Sequence, residues 1–280
     1  MDSGQPLESV TLAFIGGGNM ARCLIGGALA AGVPAARIRV GEPDPVQRER
    51  LEEAYGVACA EDNRAAVAGA DVVVLAVKPQ AAAQAVKPLA GALTDSATVV
   101  SIMAGIPLRT LRGWLGEGPP LIRAMPNTPA LIQMGITTLY ADPSVADTAR
   151  AHVAALLATS GEVRWVDDEA ALDAVTALSG SGPAYAFLVI EALAAAGVEA
   201  GLEAELAREL AIHTLRGAAE MALTTGTDPA VLRRQVTSPG GTTAAALAVL
   251  EQADLRGAFA GAVAAGTARS RALAEESGRE

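Results

Sequence analysis

The chain has 280 residues, half of them hydrophobic, and a formal net charge of −10. That length can bury a full core and favours two domains over one. The charge argues against nucleic acid, whose phosphates demand a basic face, and no apolar run reaches the roughly 18 residues of a membrane helix without glycine, proline or charge, so no membrane partner is expected. The opening stretch MDSGQPLESV carries two acids and no basic or apolar block, so no signal peptide is expected and a cytoplasmic location is. Cys23 and Cys59 are too few for a disulfide framework and lack a second cysteine or histidine at ligand spacing. They read as buried thiols, and no metal site is expected.

Up to residue 166, short β-branched runs alternate with helical stretches: VTLAFI (10–15), RIRVG (37–41), DVVVLAV (71–77), ATVVSIM (97–103), LIRAM (121–125), GITTLY (135–140) and EVRWV (162–166). Such alternation means βαβ units and a mostly parallel sheet. From 167 to 280 the strands vanish, and apolar residues recur at three- and four-residue spacings, as in PAYAFLVIEALAAAGVEA. The expected class is α/β, with a Rossmann-like dinucleotide-binding domain over 1–166 and an all-α domain over 167–280.

The first strand runs directly into Gly16, Gly18 and Ala21, a G-x-G-x-x-A pattern opening a helix. Gly16 suits a tight turn, Gly18 lets backbone approach a pyrophosphate, and Ala21 lets the helix pack on the strand. The second strand ends in Gly41 and Glu42, where an acid accepts hydrogen bonds from an adenosine ribose and favours NAD. Glu-Pro-Asp-Pro is equally ordinary turn chemistry, and Arg48 or Arg50 is near enough to take a 2′-phosphate, so the choice of cofactor stays open. Ligands of open α/β sheets bind beyond the carboxyl ends of the strands, so Ala76, Val77, Lys78 and Pro79 are expected to line the crevice, with Asn63 on the adenosine side. SIMAGI (101–106), with backbone room at Gly105, and LIRAMPNTPA (121–130) close their strands in the same way.

Two breaks interrupt the helical half. LSGSGPAYAF (178–187) places Pro183 in the first turn of a long helix. In VTSPGGTTAAAL (236–247), Pro239, Gly240 and Gly241 end one helix, and Thr242 or Thr243 is expected to cap the next. The free N–H groups of such a helix start attract an anion without any basic residue, and with direct hydrogen bonds they can hold a small carboxylate. A capped interhelix turn is the plain alternative.

IGGGNMA, AVKPQ, RAMPNTPA, SGSGPAYAF and VTSPGGTTAAAL, in this order and spacing, resemble pyrroline-5-carboxylate reductase, from about residue 10 to 273. The resemblance implies reduction of L-1-pyrroline-5-carboxylate to L-proline with NADPH, NADH being possible because Glu42 stands where a 2′-phosphate would sit. It implies a helical domain that interlocks with a second subunit, and a larger ring of dimers. Carried over by motif, the cofactor contacts are Ile15, Gly16, Gly17, Gly18, Asn19, Met20, Asn63, Ala76, Val77, Lys78, Pro79, Ala104 and Gly105. The substrate contacts are Gly240, Gly241, Thr242 and Thr243, with the Thr243 hydroxyl beside the ring nitrogen as the catalytic contact, together with Ser238 and Glu169.

The residue inventory suits that chemistry, because a protonated imine is already a strong electrophile and needs positioning more than a strong acid. A β-hydroxyacid dehydrogenase shares the layout, but such enzymes use a lysine on the helical domain, and this chain has none beyond Lys87. A non-catalytic nucleotide-binding regulator is the alternative from another class, and dinucleotide consumption on adding the imine separates the two.

Overall fold

The computed structural model describes residues 7–94 and 96–278. Residues 1–6, most of the stretch behind the signal-peptide expectation, lie outside them. The chain divides into two units, one running through Gly180 and resuming at Ala265, the other spanning Ser181–Ala264.

The first unit holds β1 (Leu12–Ile15), β2 (Ile38–Gly41), β3 (Ala58–Ala60), β4 (Val72–Leu75), β5 (Thr98–Ser101), β6 (Leu121–Met125), β7 (Gly135–Ala141) and β8 (Gly161–Trp165). They form one sheet in the order β3-β2-β1-β4-β5-β6-β7-β8. Every neighbouring pair is parallel except β6 and β7, where Ile122 faces Ala141 and Met125 faces Thr138. The strand order reverses at β1, which pairs with β2 on one side and β4 on the other. This is the topological switch point of an open α/β sheet, where a crevice opens beyond the strand ends. The strand β3 was missed in the sequence: Ala-Cys-Ala has no β-branched residue, and only pairing with Arg39 to Gly41 makes it a strand.

The helices α1 (Asn19–Ala30), α2 (Pro45–Tyr55), α3 (Asn63–Val67), α4 (Ala82–Val86), α5 (Leu108–Leu115), α6 (Asp147–Ala158) and α7 (Ala171–Val175) complete this part of the chain. The central strands are apolar on both faces because helices cover both. Leu12, Phe14, Val72 and Val74 point into one cluster with Leu24 and Ile25 of α1 and Leu156 of α6. Their neighbours Ala13, Ile15, Val73 and Leu75 point into the other, with Val86 of α4 and Leu111 of α5. A one-residue register slip would exchange the two sets, so the period-2 pattern fixes each strand.

The second unit is helical: α8 (Gly182–Glu199), α9 (Ala204–Thr225), α10 (Pro229–Gln235), α11 (Thr242–Gln252) and the start of α12 (Leu255–Ser277), which ends within the first unit. Its single-chain core is thin. No described residue of α8, α10 or α11 is buried, and α9 buries only Ala207 and Ala211. Phe187, Leu188, Leu210 and Leu223 are all largely exposed.

One helical stretch, Ala171–Glu199, is long and apolar enough to cross a membrane by length and composition, against the expectation from sequence. The reason is local. Gly180, Gly182 and Pro183, read as breaks, are absorbed by a π-helical segment (Thr176–Gly180) and by the first turn of α8, where proline costs nothing.

Candidate functional site

The crevice at the switch point is a cleft of about 530 Å3. Its floor is the loop after β1. Gly16 has φ +95°, and a Cβ there would stand 2.9 Å from both the Ala76 carbonyl oxygen and Val77 Cγ1, so only glycine fits between the ends of β1 and β4. Gly18 has nothing within 4 Å of an added Cβ and is exposed, leaving backbone open at the start of α1. No side chain caps that helix, so its first N–H groups remain available to an anion.

One wall of the cleft is built by the segments that follow β2 and β3. The Glu42 carboxylate turns back into the glycine loop: Oε2 accepts the Gly17 N–H at 2.8 Å, and Oε1 accepts the Asp44 N–H at 3.1 Å. Asn63 opens α3 and donates Nδ2–H to the Ala85 carbonyl at 3.1 Å. Its Oδ1 is buried without a donor, against Gly41, where an added Cβ would collide with it. An open glycine, an uncapped helix start, a fixed acid and an orphaned amide oxygen at one switch point fit a dinucleotide.

Of the residues expected on the cofactor side, Gly16, Gly17, Gly18, Glu42, Asn63, Ala76, Val77 and Lys78 line this cleft. Ile15 is fully buried at the end of β1, while Asn19 and Met20 are the first residues of α1. Pro79 starts the short 3-10 turn that follows Lys78. Ala104 and Gly105 follow β5, and Gly105, at φ +72°, lies against Leu273 of α12, whose Cβ would be 2.9 Å from an added one. Sequence reasoning missed Gly41, Glu61, Gln84, Ala85 and Pro88 on the lining. Gly41 carried a signal, since a glycine closing a strand marks a close approach.

Both cysteines are half-buried, where full burial was expected. Cys23 donates to the Ala130 carbonyl at 3.0 Å, and burial raises its pKa. Burial, reinforced by Glu52, pushes the Cys59 thiol up to about 11. Neither is a thiolate at neutral pH.

Glu169 lies in the first unit. Its Oε1 accepts the Leu108 N–H at the start of α5 (2.8 Å) and an Arg123 Nη1–H (3.1 Å). Arg123, on β6 and almost wholly buried, also reaches Asp173 at 3.8 Å, and Asp173 accepts the Ser270 hydroxyl of α12 at 2.8 Å. The Glu169 carboxylate thus ties β6, α5 and α7 together.

The interruption at 236–247 resolves into one turn. Ser238 O accepts the Gly241 N–H at 3.1 Å, Pro239 takes the second position, and Gly240 has φ +71° in the third, which makes a type II β-turn. The turn leaves Gly241 extended as the N-cap of α11, with no capping side chain. Neither threonine caps, contrary to the expectation, because both lie inside the helix as its first two residues. The N–H groups of Thr242, Thr243 and Ala244 are those an α-helix cannot satisfy internally. Thr242 and Ser238 are exposed, and Gly241 and Thr243 half-buried.

Comparison with known proteins gives two family matches: "Pyrroline-5-carboxylate reductase dimerisation" over residues 169–273 and "NADP oxidoreductase coenzyme F420-dependent" over residues 11–105. The chain is 47% identical to the pyrroline-5-carboxylate reductase of Pseudomonas aeruginosa over 98% of its own length and 100% of the relative's. Among solved structures it resembles the Coxiella burnetii pyrroline-5-carboxylate reductase with TM-score 0.89 and 40% identity, covering 95% of this chain and 98% of that one. The Plasmodium falciparum pyrroline carboxylate reductase, solved with NADP bound, matches with TM-score 0.85 and 29% identity over 96% and 99% of the two chains.

Proposed function

The chain belongs to the pyrroline-5-carboxylate reductase family, and from that premise we propose how its residues serve the NAD(P)H-dependent reduction of L-1-pyrroline-5-carboxylate to L-proline, the last step of proline biosynthesis. The nicotinamide supplies the hydride when bound, and the protein supplies position and electrostatics. In this reading Ile15 to Met20, Asn63, Ala76 to Pro79, Ala104 and Gly105 hold the dinucleotide, with Glu42 beside its adenosine ribose. The residues from 167 onward form the substrate-binding and dimerisation domain.

One observation carries the substrate side: α11 begins on a type II turn with no side chain capping it. Its free N–H groups at Thr242 and Thr243 receive the substrate carboxylate beside Gly241, whose own N–H is held by the Ser238 carbonyl, and the helix dipole adds about 0.3–2 kcal/mol. Gly240 shapes the turn, Ser238 flanks it, and the Thr243 hydroxyl, free of capping, orients the ring nitrogen. Glu169 contributes by holding α5 and Arg123 in place, since its carboxylate is already engaged by both. Thr243→Ala is expected to lower kcat/KM for the imine about tenfold or more, on the order of 1.4 kcal/mol, with dinucleotide affinity unchanged. Steady-state rates paired with a dinucleotide titration measure both, and unaltered rates remove Thr243 from the mechanism.

The helical domain forms a homodimer. Supporting this, Phe187 and Leu188 of α8 stay about two-thirds exposed in the single chain, so the apolar stretch from Ala171 to Glu199 is covered by a partner copy, not by lipid. We place the enzyme in the cytoplasm and its dimers in a larger ring. Light scattering of the wild type is then expected to give a mass above that of two 28.2 kDa chains. Phe187→Glu, which buries a charge in that interface, is expected to shift the mass to a single chain and to cut activity more than about tenfold. A variant that is monomeric yet fully active would overturn the dimer as the catalytic unit.

A further inference from the structure

We infer that this enzyme selects the dinucleotide whose adenosine ribose carries no phosphate, and that Glu42 is the residue that sets the preference. The inference rests on assigning the cleft at the switch point to the dinucleotide. An acid at the end of the second Rossmann strand suits ribose hydroxyls, whereas a 2′-phosphate needs a nearby arginine. Here the acid is held in place: both Glu42 oxygens accept backbone N–H groups, from Gly17 and Asp44, so the side chain cannot swing aside without orphaning them. Each oxygen keeps a lone pair for a hydroxyl donor and offers a phosphate only repulsion.

Two of the arginines that could compensate, Arg48 and Arg64, are already engaged, and Arg50 lies exposed on α2, outside the cleft lining. Arg48 donates from Nη1 to the carbonyls of Glu42 (2.7 Å) and Pro43 (2.9 Å), and its Nη2 stands 3.8 Å from Glu61. Arg64 is forked onto Asp62, with contacts of 2.9 to 3.2 Å. Four carboxylates, Glu42, Asp44, Glu61 and Asp62, therefore surround these two guanidiniums of α2 and α3. The lining donors Lys78 and Gln84 belong to the segment after β4, across the cleft. Both dinucleotides share every other contact, so the effect is a preference and not an exclusion.

Equilibrium binding of NADH and NADPH to the full-length enzyme, with no imine present, tests this apart from turnover. NADPH is expected to bind about tenfold or more weakly than NADH, or about 1.4 kcal/mol. Glu42→Gln keeps an acceptor for the Gly17 N–H and removes the charge, so it is expected to tighten NADPH at least about fivefold relative to NADH, which loses an anionic acceptor for its ribose hydroxyls. Wild-type enzyme that binds NADPH as tightly as NADH overturns the preference while leaving the cleft assignment intact. Equal response of both dinucleotides to Glu42→Gln overturns the role of this residue. Failure to bind either one refutes the cleft assignment, and the inference with it.

Discussion

Replacing Arg123 by leucine is expected to lower the stability of the fold by about 3–5 kcal/mol, the cost of leaving buried charges without their partner. Arg123 sits at the middle of β6 with only 5% of its side chain exposed, between Glu169 at 3.1 Å and Asp173 at 3.8 Å. The leucine fills much of the volume but leaves Glu169 with one donor, the Leu108 N–H, and Asp173 with the Ser270 hydroxyl and the exposed Arg271. Urea unfolding at constant m-value reads the loss directly. Arg123→Lys restores the charge without the fork and should recover part of it. A change under about 1 kcal/mol for the leucine variant would mean that the pair stabilises nothing beyond its own desolvation.

Gly16→Ala is expected to have the largest effect on the cofactor. At φ +95° a side chain strains the backbone by about 1–3 kcal/mol, and its Cβ meets the Ala76 carbonyl oxygen at 2.9 Å. The loop must move, and a displacement of about 1 Å near reacting groups costs on the order of 100-fold. Both the thermal midpoint and kcat/KM should fall. Gly18→Ala provides the contrast, since its φ is ordinary and its surroundings are open. There the midpoint should hold while dinucleotide affinity drops, because the methyl group enters the open space that we assign to the pyrophosphate. If both substitutions behave alike, the distinction between a glycine needed by the fold and one needed by the ligand is wrong.

What was legible in the sequence follows from what is local. The strands with continuous apolar runs, such as Val72–Leu75, announce a sheet buried on both faces, and the glycine loop after β1 announces the crevice. The short edge strand β3 carries no such signal, because its identity comes from pairing with β2. The capping of α11 was misjudged for a related reason: threonine is a good N-cap in general, but the Ser-Pro-Gly-Gly turn fixes where the helix begins. Glu169 shows what a local motif does not reveal. Its neighbours in space, Leu108 and Arg123, are 61 and 46 residues away in the chain, and no local pattern reveals them.

The apolar face of α8 makes dilution a denaturant for this enzyme. A helix with no buried residue of its own draws its stability from association, so the packing of the helical unit depends on its partner. Its melting temperature should therefore climb with protein concentration. In the cell the abundance of the chain then helps to decide how much of it survives, and a newly made copy must find its partner before its exposed helix finds a chaperone, a protease or an aggregate.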